Sequence, residues 1–127
     1  MYIADGKTNG PAFSWPDGKR IAVMVTFDYD AEFLRISRAK SKGTSIGFTD
    51  FSRGQYGPHE GLARCLDMLD TMNIKSTFFV PGAVIETYRD TVEEIHRHGH
   101  ELACHGYRHE SDPELSRDEM IKILDKS

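Results

Sequence analysis

Cysteine is scarce in this chain: Cys65 and Cys104 are the only two, with no CxxC spacing. Such scarcity excludes a disulfide-stapled scaffold and a cysteine-ligated zinc ribbon. Both thiols fall within otherwise apolar patterns and are expected as small buried hydrophobes in a reducing compartment. No apolar run approaches the roughly 18 residues that span a bilayer, and residues 1–13 (MYIADGKTNGPAF) lack the apolar stretch of an export signal. The expected location is therefore the cytoplasm, with no membrane partner. Positive charge is not in excess either. Lys and Arg number 16 against 20 Asp and Glu, a formal charge of -4, so the concentrated basic face of a nucleic-acid-binding protein is not expected. The only basic run, SRAKSK at residues 37–42, reads as a solvated loop. Missing as well are GxSxG, the Walker loop and GxGxxG, which removes Ser hydrolases, P-loop enzymes and the dinucleotide fingerprint from the leading candidates. With no repeat and no low-complexity tract, 127 residues amount to one domain or part of one.

What is present is an alternation of strand and helix signals. Residues 20–27 (RIAVMVTF) are β-branched and apolar, as in a strand buried on both faces of a parallel sheet. Residues 31–57 are rich in Gly, Ser, Thr and Arg without sustained periodicity, and read as a long functional loop. From Pro58 the period changes: Leu62, Cys65, Leu66, Leu69 and Met72 recur at helical spacing, up to Asn73. Residues 74–80 (IKSTFFV) form a second strand closed by Pro81 and Gly82. A helix over 83–98 carries Val84, Ile85, Tyr88, Val92 and Ile95, and ends in basic residues followed by Gly99. A third strand covers 100–105 (HELACH), and Ser116 with Glu119 makes a capping box for a last helix with Met120, Ile121 and Leu124 on its apolar face. Strands alternating with helices imply an α/β fold with a parallel sheet, either doubly wound or part of a barrel, since a complete barrel takes about 250 residues.

In such folds reactive groups stand at the C-terminal ends of strands. Two places qualify: residues 26–32 (TFDYDAE) and residues 105–109 (HGYRH). In extended chain Asp28 and Asp30 share a side while Phe27 and Tyr29 point away. Two adjacent carboxylates resist joint ionisation, so the pair calls for a cation or a split of roles; a solvated acidic turn is the alternative. Residues 96–109 (HRHGHELACHGYRH) hold five of the six histidines. His105 and His109 are four apart with Gly106 between them, and can converge in a turn; surface histidines are the alternative, which the DxD motif at the same sheet edge disfavours. Two histidines and a carboxylate would leave open coordination positions, as catalytic metal sites do. His96 and His98 fall in the last turn of a helix, His100 opens a strand at the opposite end of the sheet, and His59, beside Pro58 at the mouth of a helix, reads as a loop residue with a substrate contact as the alternative. HELACH spaces its histidines five apart, not four, so the zinc-protease geometry fails, and the zinc-deaminase signature is missing.

TFDYDAE, STFFV, GHE and HGYRHE in this order resemble the polysaccharide deacetylase family, the NodB-homology domain of carbohydrate esterase family 4, over residues 20–110. FDYDAE, with Tyr56 and Gly57 ahead of the first helix, is most similar to the branch containing cytoplasmic peptidoglycan-deacetylase-like proteins and cofactor-independent allantoinases. The resemblance implies the N-terminal part of a distorted TIM-like (β/α) barrel with parallel strands, residues 1–127 forming one incomplete domain. It implies that Asp28 is the general base, that Asp30, His105 and His109 hold a divalent metal, usually Zn2+, and that Glu32 binds substrate or supports the metal ligands. The activity implied is hydrolysis of non-peptide carbon–nitrogen bonds, foremost deacetylation of an N-acetylated sugar. Opening of a cyclic amide, without need of metal, is the nearest alternative, and a non-catalytic oligomerising remnant is a third reading. The family's later arginine motif and its general-acid histidine lie beyond the matched region, so activity of these residues alone is expected to be low. The expected partners are a carbohydrate or small amide substrate and, through exposed sheet edges, further copies of the chain.

Overall fold

The computed structural model describes residues 14–110 and 115–127; the segment read above for an export signal lies outside them. A 3-10 turn at Pro16–Gly18 leads to β1 (Thr26–Asp28), followed by α1 (Phe33–Ser41) and α2 (Phe48–Tyr56). A π-type turn at Gly57–Gly61 then runs into α3 (Leu62–Thr71), β2 (Thr77–Val80), α4 (Gly82–Thr87), α5 (Arg89–Arg97), β3 (Glu101–Cys104) and α6 (Arg117–Lys126). The three strands are parallel in the order β1-β2-β3, as the alternation of strand and helix implied.

The register positions the site. Asp28 lies opposite Phe79, and Phe79 opposite Ala103, so β1 and β3 finish level with each other on either side of β2. Both following segments therefore emerge at one sheet edge. The pairing extends one residue past β1, where the Tyr29 N–H donates to the Phe79 carbonyl at 2.9 Å.

Helices cover one face of the sheet. Phe78 and Val80 of β2 pack with Leu62, Leu66 and Leu69 of α3 and Val92 and Ile95 of α5 in one apolar cluster. The helical spacing of those residues produces this stripe, and Asn73, at φ 52°, turns the chain out of α3 as expected. Gly99, at φ 74°, does the same after α5. The Ser116–Glu119 capping box is present in both directions.

Four expectations are corrected. The first strand pairs only over Thr26–Asp28 and is not buried on both faces: Ile21, Val23 and Met24 are 76%, 83% and 86% exposed. Among the described residues it is an edge strand with a neighbour on one side only, and the helices lie against the Phe78 and Val80 face. The segment over 31–57 is not a long loop but contains α1 and α2. Its helices were hidden because they bury only Phe33 and Gly54, too few positions to generate an apolar period. The helix expected over 83–98 is two helices, broken at Tyr88 (φ -125°, ψ 44°). Finally, Cys104 is exposed and Cys65 half-buried, because β3 is the other edge strand and its Leu102 and Cys104 side chains are uncovered by described residues. The apolar positions Met72, Met120, Ile121 and Leu124 are likewise exposed.

Candidate metal centre

Asp30 follows β1 by two residues, and Ala31 at φ 49° turns the chain sharply there. His105 follows β3 directly. Between His105 and His109 the backbone reverses through Gly106 (φ 71°) and His109 itself (φ 58°). Two interactions hold this reversal. The Glu110 carboxylate accepts from the backbone N–H groups of Tyr107 at 3.1 Å and Arg108 at 2.9 and 3.0 Å. The Ser37 hydroxyl on α1 donates to the His109 carbonyl at 2.5 Å. The outcome is that the two imidazoles face each other edge-on, with centroids 4.8 Å apart.

Asp30 closes the triangle. Its Oδ1 lies 3.5 Å from His105 Nε2 and its Oδ2 3.9 Å from His109 Nε2, with the Asp30 side chain only 12% exposed. One donor atom from each of Asp30, His105 and His109 lies within 4.8 Å of the others, the one such group among the described residues. Burial raises the Asp30 pKa above the ordinary carboxyl value, His109 and His105 oppose the rise, and Asp28 adds to it. Asp30 Oδ1 and His105 Nε2 are buried without any hydrogen-bond partner. Two orphaned polar atoms converging on one point, from a carboxylate and an imidazole, are what a divalent cation with mixed N and O donors would satisfy.

Asp28 stands on the exposed side of β1, near enough for its charge to act on Asp30. Glu32 is not part of the donor triangle. It is 5% exposed, and both of its oxygens accept from the Tyr88 hydroxyl, at 3.1 and 2.9 Å. Helix α2 presses on the same residue: a Cβ on Gly54 would lie 2.4 Å from Glu32 Cα, so only glycine permits this approach. The other histidines lie elsewhere. His98 Nδ1 is 2.7 Å from an Asp70 oxygen, and His100, 4% exposed, accepts the Ser76 N–H at Nδ1. His59 is exposed, its ring edge-on to Tyr88. Sequence reasoning missed Glu110 and Ser37. The only signal was Glu110 three residues after Tyr107, the spacing at which a carboxylate can reach back to turn amides.

A parallel α/β sheet with two imidazoles and a carboxylate converging past its strand ends defines an α/β protein with a candidate metal centre. The family described as polysaccharide deacetylase matches residues 16–127, and the chain belongs to that family. It is 32% identical over 110 residues to a peptidoglycan deacetylase-like protein of Gibberella zeae, covering 85% of this chain and 32% of the relative. It is 33% identical over 109 residues to a peptidoglycan deacetylase of Helicobacter pylori, covering 86% of this chain and 36% of the relative. Thus the chain spans about a third of the length of these curated relatives. Among solved structures, a Mycobacterium smegmatis protein described as a polysaccharide deacetylase superposes with TM-score 0.80 at 40% identity, over 94% of this chain and 41% of that one. The Puue allantoinase superposes with TM-score 0.79 over 94% of this chain and 44% of its own; at 20% identity it shares the fold.

Proposed function

We propose that this chain carries the divalent-metal half of an amide-hydrolysing site whose reaction is removal of acetyl groups from an N-acetylated sugar. The single observation that carries this reading is the pair of unpartnered buried atoms, Asp30 Oδ1 and His105 Nε2, beside His109. Membership of the polysaccharide deacetylase family supports the reaction class, and the names of the two peptidoglycan deacetylase relatives support a glycan substrate. In this reading the strands are the first part of a TIM-like barrel, the sheet edge after β1 and β3 being its reactive face.

Asp30, His105 and His109 would hold the ion, Zn2+ being the best match for two imidazoles and one carboxylate. When bound it would supply Lewis acidity to the amide carbonyl. Asp28 has a different task. Lying on the same strand end, with a carboxylate outside the donor triangle, it accepts the proton of the attacking water. Glu32, buried with both oxygens accepting from the Tyr88 hydroxyl, supports the β1–α1 turn that follows Asp30.

The test separates ligand from base. With Zn2+ supplied, metal content measured by mass spectrometry is expected near one equivalent, and Asp30→Ala or His105→Ala is expected to abolish it. Asp28→Asn is expected to keep the metal and to lower acetate release from an N-acetylglucosamine oligomer about a hundred- to ten-thousand-fold. Metal-independent opening of allantoin, untouched by His105→Ala, would instead establish the cyclic-amide reading.

A further inference from the structure

The side chains of the metal centre are not held alike. His105 leaves β3 directly, and the residues after it are tied to the start of α4. The Gly82 N–H donates to the Gly106 carbonyl at 3.0 Å and the Ala83 N–H to the Tyr107 carbonyl at 2.8 Å. Tyr107 is itself buried, its hydroxyl donates to Glu86 at 2.8 Å, and a Cβ on Gly82 would lie 2.9 Å from its ring. The first half of the turn is thus anchored in the core. His109 has no such anchor. Its backbone stands at φ 58° and makes one hydrogen bond among the described residues, in which the Ser37 hydroxyl donates to its carbonyl at 2.5 Å. A left-handed backbone at a residue with a side chain persists only where its surroundings impose it. The Glu110 carboxylate fixes the amides of Tyr107 and Arg108, before His109; at His109 itself the constraint is Ser37.

Ser37 opens the basic run SRAKSK, which is the second half of α1 and not a loop. That helix also begins at another ligand. The Phe33 N–H at its start donates to the Asp30 carbonyl at 3.0 Å, and Ser37 lies about one helical turn further on. Helix α1 therefore joins two of the three donors, Asp30 at its first turn and His109 at its second. The two are 3.9 Å apart, from Asp30 Oδ2 to His109 Nε2. A serine within a helix ordinarily returns its hydroxyl to a carbonyl of its own preceding turn. Ser41 does so, donating to the Arg38 carbonyl at 3.2 Å. Ser37 instead reaches across to a segment 72 residues away in sequence.

We infer that Ser37 is a positioning residue of the metal centre: its hydroxyl, carried on the helix that starts at Asp30, holds His109 in the left-handed conformation that turns its imidazole toward Asp30 and His105. Without that hydroxyl the His109 backbone relaxes and the centre keeps two of its three donors. The inference rests on the reading of Asp30, His105 and His109 as metal ligands. The experiment is a titration of the full chain with Co2+, followed by absorption, so that metal affinity is read without any substrate. Ser37→Ala is expected to raise the Co2+ Kd about tenfold, the lower end of what partners behind metal ligands contribute. The metal-free variant is expected to keep the parent's melting temperature, because alanine is the better helix former and offsets the lost hydrogen bond. Ser37→Thr, which retains a hydroxyl, is expected to bind Co2+ as the parent does. Equal Kd values for Ser37→Ala and the parent overturn the inference and leave the metal reading intact. A weakening that Ser37→Thr shares, or that accompanies a lowered melting temperature of metal-free Ser37→Ala, also overturns it, because Ser37 then supports the fold and not the ligand. A parent chain that binds no Co2+ overturns the metal reading and the inference with it.

Discussion

Two single residues away from the donor triangle set measurable properties. His100 is 4% exposed, and its Nδ1 accepts the Ser76 N–H, which assigns the ring proton to a buried Nε2 with no partner. Burial, reinforced by the Lys75 cation, lowers its pKa below the ordinary value of about 6.5. The unfolded chain therefore binds the proton more readily than the folded one. The stability His100 contributes is complete above that ordinary value and is lost as the pH falls below it. Urea denaturation at pH 7 and pH 5 is expected to show a smaller loss for His100→Gln than for the parent; an equal loss would mean that the ring is not held neutral. Tyr88 is the second such residue. Its hydroxyl donates to both buried Glu32 oxygens, so Tyr88→Phe removes a donor and leaves the acceptor in place. A cost of about 1–3 kcal/mol is expected, read from the denaturation midpoint.

At the scale of elements, the legibility of the sequence followed burial. Helices α3 and α5 were readable because Leu62, Leu66, Leu69, Val92 and Ile95 face a common core and so must recur at helical spacing. Helices α1 and α2 were not, because they are held by other means. They meet through the glycine contact of Gly54 on Glu32 and the Arg35–Asp50 pair, and neither writes a period into the sequence. The reactive ends were legible for a topological reason: parallel strands deliver Asp28, Asp30, His105 and His109 to one edge wherever their exact bounds fall. What was not legible was the turn chemistry, in which the Glu110 carboxylate and the Ser37 hydroxyl fix a left-handed His109. The Gly54 contact makes a prediction of its own. Alanine is ordinarily the better helix former by about 1 kcal/mol, but here its Cβ would collide with Glu32 backbone at 2.4 Å. Gly54→Ala is therefore expected to destabilise by about 1–3 kcal/mol in spite of its propensity. A melting temperature raised by this change would show that α2 can withdraw from Glu32, at the start of α1, without loss.

For the molecule as a whole, the described residues cover the sheet on one face and leave it open along both sides. Among the described residues β1 and β3 each pair with β2 alone, and near them Ile21, Val23, Met24 and Leu102 are 76%, 83%, 86% and 41% exposed. Helix α6 adds Met120, Ile121 and Leu124, at 37%, 44% and 59%. Single exposed apolar residues are ordinary, but seven of them gathered on strand edges and one helix are a surface from which water is readily displaced. No described helix is long and apolar enough to cross a membrane, so this surface does not form a membrane-spanning helix. Self-association of the 127-residue chain is the expected consequence. Sedimentation velocity should show a weight-average mass that rises with concentration, and Val23→Lys with Leu102→Lys should lower it, because an edge bearing lysine resists pairing. The outcome is separable from the chemistry of the site, since neither residue belongs to the donor triangle. Each replacement also places its charge on an already exposed position, where a change in folding stability within about 0.5 kcal/mol is expected. A mass of one chain at every concentration would mean that the open edges do not pair and that the exposed apolar residues remain in water.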